Sequence, residues 1–520
     1  MLDISSVSAP PQVEITQPLR GARPAETNGW DLVSVVKIAD MNEAIAAAGT
    51  TPDGFDQEIT GGTRIAARFD PWRVGTGGDG HLINLEVPLR DLTLEHGEMR
   101  VHIAAATAAV RVELEMIPSG LMRAGPDGTA EETQLLVIRT RPSRMLMAAD
   151  HAARPAKLLE IDNMDGLRIA QRAAIKLGLE GWLNENLTAF AHVFATVNIV
   201  RTTQEDAKGK AFSWMKPTEV SYAFGRNAAN PEDSVLAILC QTGGRSAKGL
   251  IHQAQADMIP AGANAAFTVS KSRVLRDMIA PGLEMAYDGL KQKHLAFAPH
   301  DTGLKLSKPV QLRGVKSEDG KTYDPVLEVL RIGLRDTELV VDSRTATRVA
   351  PGVHSVSTAA AHYNFGLTKN SKGEKTLGFS GPPVKPVNET RKDRAVDIID
   401  AILTAIQVVA VVVGAVMTGG AILIGAGVAA AALAGQLTIK AVSDSTRNDG
   451  PPIDLLVANA TSAVTWSSGA RFDPTFAALN GGLQVGGFLG QGVKQGLLGA
   501  DGFAQRFQRP FKGLMAKRVM

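Results

Sequence analysis

Ile83-Asn84-Leu85-Glu86-Val87 and Val110-Arg111-Val112-Glu113-Leu114-Glu115-Met116 alternate between apolar and polar residues without a break. Successive side chains of a strand point to opposite faces. Each stretch therefore lays one face on a core and leaves the other in water, the pattern of an antiparallel sheet. Leu135 to Arg139 reads as a third strand. The run from Met99 to Met116 is long for one strand, so it either turns near Ala104–Ala109 or belongs to an extended, strongly curved sheet. Upstream, Leu32 to Ile38 is a β-branched apolar run that suits a strand. Asp40 and Glu43 have capping-box spacing before a short helix, Met41 to Ala48, with Gly49 as its stop.

Further along, Ile169, Ala173, Leu177, Leu183, Leu187 and Phe190 fall near helical spacing and predict a long helix over 165–195. Strand signals resume at Glu219–Phe224 and Ser234–Leu239. A second helix is predicted over Ser272–Lys291, with Val274, Leu275, Met278 and Ile279 on one face and Pro281 breaking or kinking it. Residues 305–382 are again strand-like, 381–395 read as a linker, and Trp466–Leu483 looks like more sheet. Strands and helices are segregated rather than strictly alternating, which argues an α+β fold over a doubly wound parallel sheet.

Composition narrows the classes of function. The chain has 520 residues, enough for two to four domains at about 150 residues each. Lys+Arg is 55 and Asp+Glu is 53, a net charge of +2, with 21% charged and 44% hydrophobic residues. That is a globular composition with no electrostatic case for nucleic acid. Aromatics are 5%, too few for base-stacking platforms. Cys240 stands alone, so no intramolecular disulfide and no cysteine-based zinc site is possible. The first 20 residues lack a basic region followed by an apolar run and so do not read as a secretory signal. Cytoplasmic synthesis is expected, and release by another route stays open. Residues 1–27 read as a flexible leader.

The loudest signal is residues 401–439, which contain no charged side chain and no His. A bilayer span needs about 20 apolar residues. One straight helix of this length would reach about 58 Å, far more than one span. Gly419-Gly420 divides the run into two arms, with Arg391, Lys392 and Arg394 before it and Lys440 and Arg447 after it. Three readings follow: a helix buried on all sides in the core, a segment that enters or lies on a membrane, or a constitutive transmembrane pair. Val408, Val412, Val416, Ile422 and Leu423 are the candidate apolar or lipid-contact residues.

Several catalytic motifs fail on context. Gly75-Thr76-Gly77-Gly78-Asp79-Gly80 matches G-x-G-x-x-G, but a strand follows it where a dinucleotide site needs a helix, so it reads as a hairpin turn. Ser213-Trp214-Met215-Lys216 matches S-x-x-K without its usual companions. No H-E-x-x-H, Walker loop or G-x-S-x-G occurs, and His96/His102 and His354/His362 lack carboxylates at metal spacing. No catalytic, cofactor or metal site is predicted, and the chain reads as a non-enzyme.

Several stretches taken together carry a family resemblance. They are Asn28-Gly29-Trp30-Asp31 before a strand, Asp40-x-x-Glu43, Trp214-Met215-Lys216-Pro217-Thr218-Glu219-Val220-Ser221-Tyr222-Ala223 and Val235 to Cys240. Further on come Ile259-Pro260 with Asn264-Ala265-Ala266-Phe267, and then Trp466, Phe472 and Ala478-Leu479-Asn480. Across residues 28–500 this resembles the clostridial accessory proteins encoded beside orfX-type botulinum neurotoxins, and above all the smaller one with its N-G-W-D start. Trp30, Trp214, Pro217, Tyr222 and Phe267 are the structural motif residues it implies. The resemblance implies a TULIP-like (tubular lipid-binding) fold, in which long curved antiparallel sheets wrap around long apolar helices. It implies two such domains, 28–300 and 301–520, with the C-terminal strands free to pair back onto the first. The functions it suggests are binding of lipid or membrane through an apolar interior, or a closed scaffold or chaperone for a toxin or other cluster-encoded protein. A membrane-inserting pore component is a third.

Overall fold

The computed structural model describes residues 24–490, apart from 60, 125–129, 148–152, 201–211, 300–301, 314, 317–321, 336, 370–372, 381–386, 393–408, 419–420, 431–452 and 470. Most of the leader, Val408 and the outer parts of the charge-free run thus lie outside the described residues. Every strand pairing among the described residues is antiparallel. The protein is β-rich with few helices, and two large sheets carry it.

The first sheet is built on the alternating stretches. Leu82–His96 pairs with Met99–Ala124, an unbroken strand of 26 residues. The extended-strand alternative is the one realised. Asp91, in the left-handed region at φ 53°, lies at the bulge in the pairing of Leu82–His96 with Thr63–Phe69. The long strand then changes partner. As far as Glu113 it pairs with Leu82–His96, and from Leu114 it pairs with Ala130–Ile138.

The second sheet runs in the spatial order Pro217–Gly225, Val235–Thr242, Leu32–Lys37, Ala265–Ser270, Gly482–Gly490, Arg471–Leu479, Val353–Lys369, Glu338–Ala350 and Val326–Arg335. The C-terminal strands therefore sit between early and late parts of the chain. Gly482–Gly490 lies beside Ala265–Ser270, and Arg471–Leu479 reaches Val353–Lys369 through the single pair Ala478 and Gly366.

Four local expectations need correction. The helix Ile38–Ala48 starts at Lys37 without a side-chain cap, because the Asp40 carboxylate accepts a hydrogen bond from Asn264 Nδ2 at 2.6 Å instead of closing a capping box. Gly49 ends it as expected, at φ 60°. The helix Ile169–Asn186 keeps only Leu183 of its predicted stripe inward. Ile175, Gly178, Leu179 and Leu183 are buried, whereas Ile169 is 88% exposed and Leu177 61%. The backbone of Gly178 decides the face, since a Cβ there would stand 2.5 Å from Ile65 Cδ1.

The predicted linker contains a strand, Val387–Lys392, paired with 353–358. Its prolines lie upstream, and its charged residues suit an outer strand. The charge-free run is not helical where it is described. Val409–Thr418 and Ala421–Ala430 form an antiparallel hairpin that packs on helix Ala280–Ala286 and on strands Glu338–Ala350 and Val353–Lys369. Its valines and glycines are poor helix formers, and β-branched residues favour strands.

The second predicted helix forms over 271–286, with Val274, Leu275, Met278 and Ile279 fully buried. Its middle turn, Val274–Ile279, is a π-helix. Pro281 has no N–H to donate four residues back and its ring crowds that carbonyl, so the turn before it widens instead of breaking.

Candidate functional site

All the motif residues but Phe267 converge where the two sheets meet. Asn28 and Gly29 both adopt left-handed backbone (φ 50° and 86°), which turns the chain into strand Leu32–Lys37. That turn buries Trp30 and Asp31. Asp31 Oδ2 accepts from the Thr242 backbone N–H at 2.9 Å, and its Oδ1 lies 2.6 Å from Arg245 Nη1. Arg273 Nε stands 3.9 Å from Asp31 and 3.2 Å from Asp277, and the Arg273 guanidinium lies 5.1 Å from the centre of the Trp214 ring. Burial pushes the Asp277 carboxyl up, and the Arg273 charge beside it offsets this only in part. A carboxylate buried this deeply requires such partners. The N-G-W-D start is thus a turn, a core ring and an ion-pair anchor.

Trp30 Nε1 donates to the Ile251 carbonyl at 2.9 Å, and its indole meets the His252 ring edge-on at 5.4 Å between centroids. His252 Nδ1 is 2.7 Å from Ser221 Oγ and 3.0 Å from His81 Nε2, and Ser221 Oγ is 3.2 Å from His81 Nε2. All three residues are half-buried. Burial, followed by the charge of His252, lowers the His81 pKa, and Glu113 opposes this; burial lowers that of His252.

Tyr222, next to Ser221, stacks on His81 at 4.9 Å. Its hydroxyl sits where the long strand changes partner. It accepts from the Leu114 N–H at 2.8 Å and has the Leu114 and His81 carbonyls at 2.7 and 2.8 Å as acceptors. Burial pushes the Tyr222 hydroxyl pKa well above its usual range, so it stays a neutral donor.

The glycine-rich turn at 75–80 positions His81. A Cβ on Gly78 would stand 2.6 Å from the Leu82 carbonyl, and the Gly80 carbonyl accepts from the Phe224 N–H at 2.7 Å. The turn is a strand connection, as its sequence context predicts. Lys216 of the S-x-x-K match forms an ion pair with Glu131 at 2.8 Å.

Trp30, Tyr222 and, through Arg273, Trp214 thus belong to one region, and Pro217 opens the strand that carries Ser221 and Tyr222. Phe267 lies apart, with its ring 5.9 Å from Phe472. It lines a cleft with Ser34, Ala460, Trp466 and Leu489 whose cavity volume is about 20 Å³, room for one water. Val412, Val416, Ile422 and Leu423 fall on the apolar hairpin, where Val416 pairs with Leu423. Sequence reasoning missed His81 and His252. They lie 171 positions apart, and only their neighbours, the glycine turn and the Lys216–Ala223 block, marked the places.

The family described as OrfX-like (Protein OrfX2/OrfX3/P47) matches residues 27–487. The chain belongs to the OrfX-like family. Protein OrfX3 of Paraclostridium bifermentans is 27% identical to this OrfX-like protein over 502 residues, covering 90% of this chain and 99% of that one. Protein OrfX3 of Clostridium botulinum strain Kyoto (type A2) is 26% identical over 498 residues, covering 89% and 98%. The crystal structure of P47 of Clostridium botulinum E1 superposes with a TM-score of 0.58 at 14% identity, over 89% of this chain and 99% of that one. P47 shares the fold. The orfX-type accessory proteins named from the sequence motifs are thus this chain's family.

Among the described residues, no three His, Cys, Asp or Glu side chains converge to hold a metal, and no helix is long and apolar enough to cross a membrane.

Proposed function

We propose that this OrfX-like protein is a non-enzymatic accessory protein that binds another cluster-encoded protein, with a closed core rather than a lipid-filled one. The supporting observation is how the first sheet's interior is filled. Helix Ile169–Asn186 lies against strands Gly54–Ile59, Thr63–Phe69 and Ala156–Ile161. Trp182 of this helix packs with Phe55, Phe69 and Phe190, ring centroids 5.3–6.3 Å apart. These packed rings support a closed core. A helix seated in a curling sheet also supports a TULIP-like architecture, and we propose its division near residue 300 on that analogy.

A second reading, contact with lipid or a membrane, draws on the hairpin. Its two ten-residue arms carry no charge and have the length of a membrane-crossing strand. A water-filled barrel wall requires polar residues at alternate positions, and the arms carry only Thr418, at the turn end. That pattern favours a segment covered on both faces over a pore.

The test is purification without detergent, alone and after co-expression with the neighbouring cluster proteins. Organic extracts are read by mass spectrometry and assemblies by light scattering. A lipid-free monomer that forms a defined complex with a neighbour is expected. Stoichiometric lipid, or no complex with any neighbour, overturns the proposal.

A further inference from the structure

His81, Ser221 and His252 come from three elements that meet at the sheet junction. His81 follows the glycine turn of the first sheet, Ser221 lies on strand Pro217–Gly225 of the second, and His252 lies in the loop between Thr242 and Ala265. That loop holds the N-terminal segment. Besides the Trp30 bond to Ile251, Asn28 Nδ2 donates to the Gln253 carbonyl at 3.2 Å. The loop backbone also abuts the turn, since a Cβ on Gly80 would stand 3.3 Å from the His252 carbonyl.

The three groups share few protons. With both rings neutral, His81 Nε2–H donates to Ser221 Oγ and the Ser221 O–H donates to His252 Nδ1; the reverse direction works equally. One added proton fits, because reversing the chain and exchanging a tautomer restores a donor for every acceptor. A second does not fit. It would leave two positively charged N–H groups facing each other across 3.0 Å, with ring centroids 4.5 Å apart. Glu113, beneath His81 on the long strand, favours its charged form, and Tyr222 is neutral. Charged side chains on the surrounding elements include Asp79 on the turn, Arg111 of the long strand with its guanidinium 3.4 Å from the Gly77 carbonyl, Glu219 on the strand, Arg245, Lys248 and Asp257 on the loop, and Glu26 on the N-terminal segment. Glu219 accepts from the Ala247 N–H at 2.8 Å. No third His, Cys, Asp or Glu joins the pair among the described residues, so metal binding does not account for the arrangement.

We propose that His81, Ser221 and His252 form a proton-sensitive latch, closed with both rings neutral or with one proton added and opened when acid adds the second, which frees the 248–258 loop and the N-terminal segment that it holds.

Hydrogen exchange of the full chain at pH 7.5 and pH 5.0, corrected for intrinsic rates, tests the latch. Peptides covering 72–82 and 248–258 are expected to lose at least tenfold protection on acidification, while Val235–Thr242 stays protected. His252→Gln keeps a side chain that donates or accepts at Ser221 but does not titrate, and is expected to abolish the pH dependence. Where that variant does not fold, His81→Gln makes the same test. Protection that is flat with pH in the natural protein, the same loss in the Gln variant, or loss over all peptides at once would overturn the latch.

Discussion

The Tyr222 hydroxyl has one proton, two carbonyls to receive it and one N–H to satisfy, at the point where a 26-residue strand exchanges one neighbour for another. A strand that changes partner leaves backbone groups between two ladders, and buried groups of that kind need a partner. Tyr222→Phe keeps the ring and removes the bridge. It is expected to cost about 1–3 kcal/mol in denaturant unfolding; an unchanged midpoint would show that the strand satisfies itself. His192 makes a second residue-scale prediction. Its ring sits between Trp72 and Phe194 with Ser467 Oγ at 3.2 Å, and burial pulls its pKa down to about 4. The folded state therefore takes up the proton less readily than the unfolded chain, whose His titrates near 6.5. The stability this gives is complete above pH 6.5 and fades as pH falls toward 4, by ~3 kcal/mol. His192→Gln should flatten that part of the stability curve, and an unaltered slope would place the titration elsewhere. Motif order along the chain was enough to single out Trp30 and Tyr222. It could not reveal that His252 meets both Trp30 and His81, because no local spacing encodes a contact across 171 positions.

At the scale of elements, period-2 alternation was the dependable signal. It marked 83–87 and 110–116, and both lie in long strands. Period 3.6 found the helix Ile169–Asn186 but only part of its buried face. Ile169, Ala173 and Leu177 keep helical spacing as well as Ile175, Leu179 and Leu183 do, and the choice between the stripes rests on Gly178 admitting Ile65. The two faces are therefore expected to respond differently. Leu177→Glu should leave stability within about 0.5 kcal/mol, whereas Leu183→Ala should cost about 2–5 kcal/mol. Thermal unfolding of the pair decides it, and equal losses would refute the assignment of the face. The charge-free run failed differently. Apolarity all round fits a buried helix and a buried strand alike, and the arbiters, β-branching and glycine content, spoke for strands.

Over the whole molecule, the C-terminal strands do what no stretch of sequence announces. Trp466 joins the first sheet beside Ala195, and its Nε1 reaches Ser34 Oγ at 3.1 Å; seven residues after Phe476, Leu483 is fully buried opposite Val269. A chain that ends at Ala463 would keep the motif region intact in sequence. It would nevertheless expose the whole edge of strand Ala265–Ser270, since Leu32–Lys37 covers only the other side. Unpaired apolar edges recruit other chains. The truncated protein is therefore expected to aggregate, or to lose the single cooperative transition of the full chain, although it retains nearly nine-tenths of the residues. These pairings close over more than two hundred positions and also place a slow step in folding. Refolding of the full chain should accordingly show the Trp466 environment forming late, read by fluorescence with Trp466→Phe as the reference. A truncated chain that stays monomeric and unfolds at the same denaturant midpoint would mean that the early strands stand alone, and that the C-terminal hairpin decorates the sheet rather than completing it.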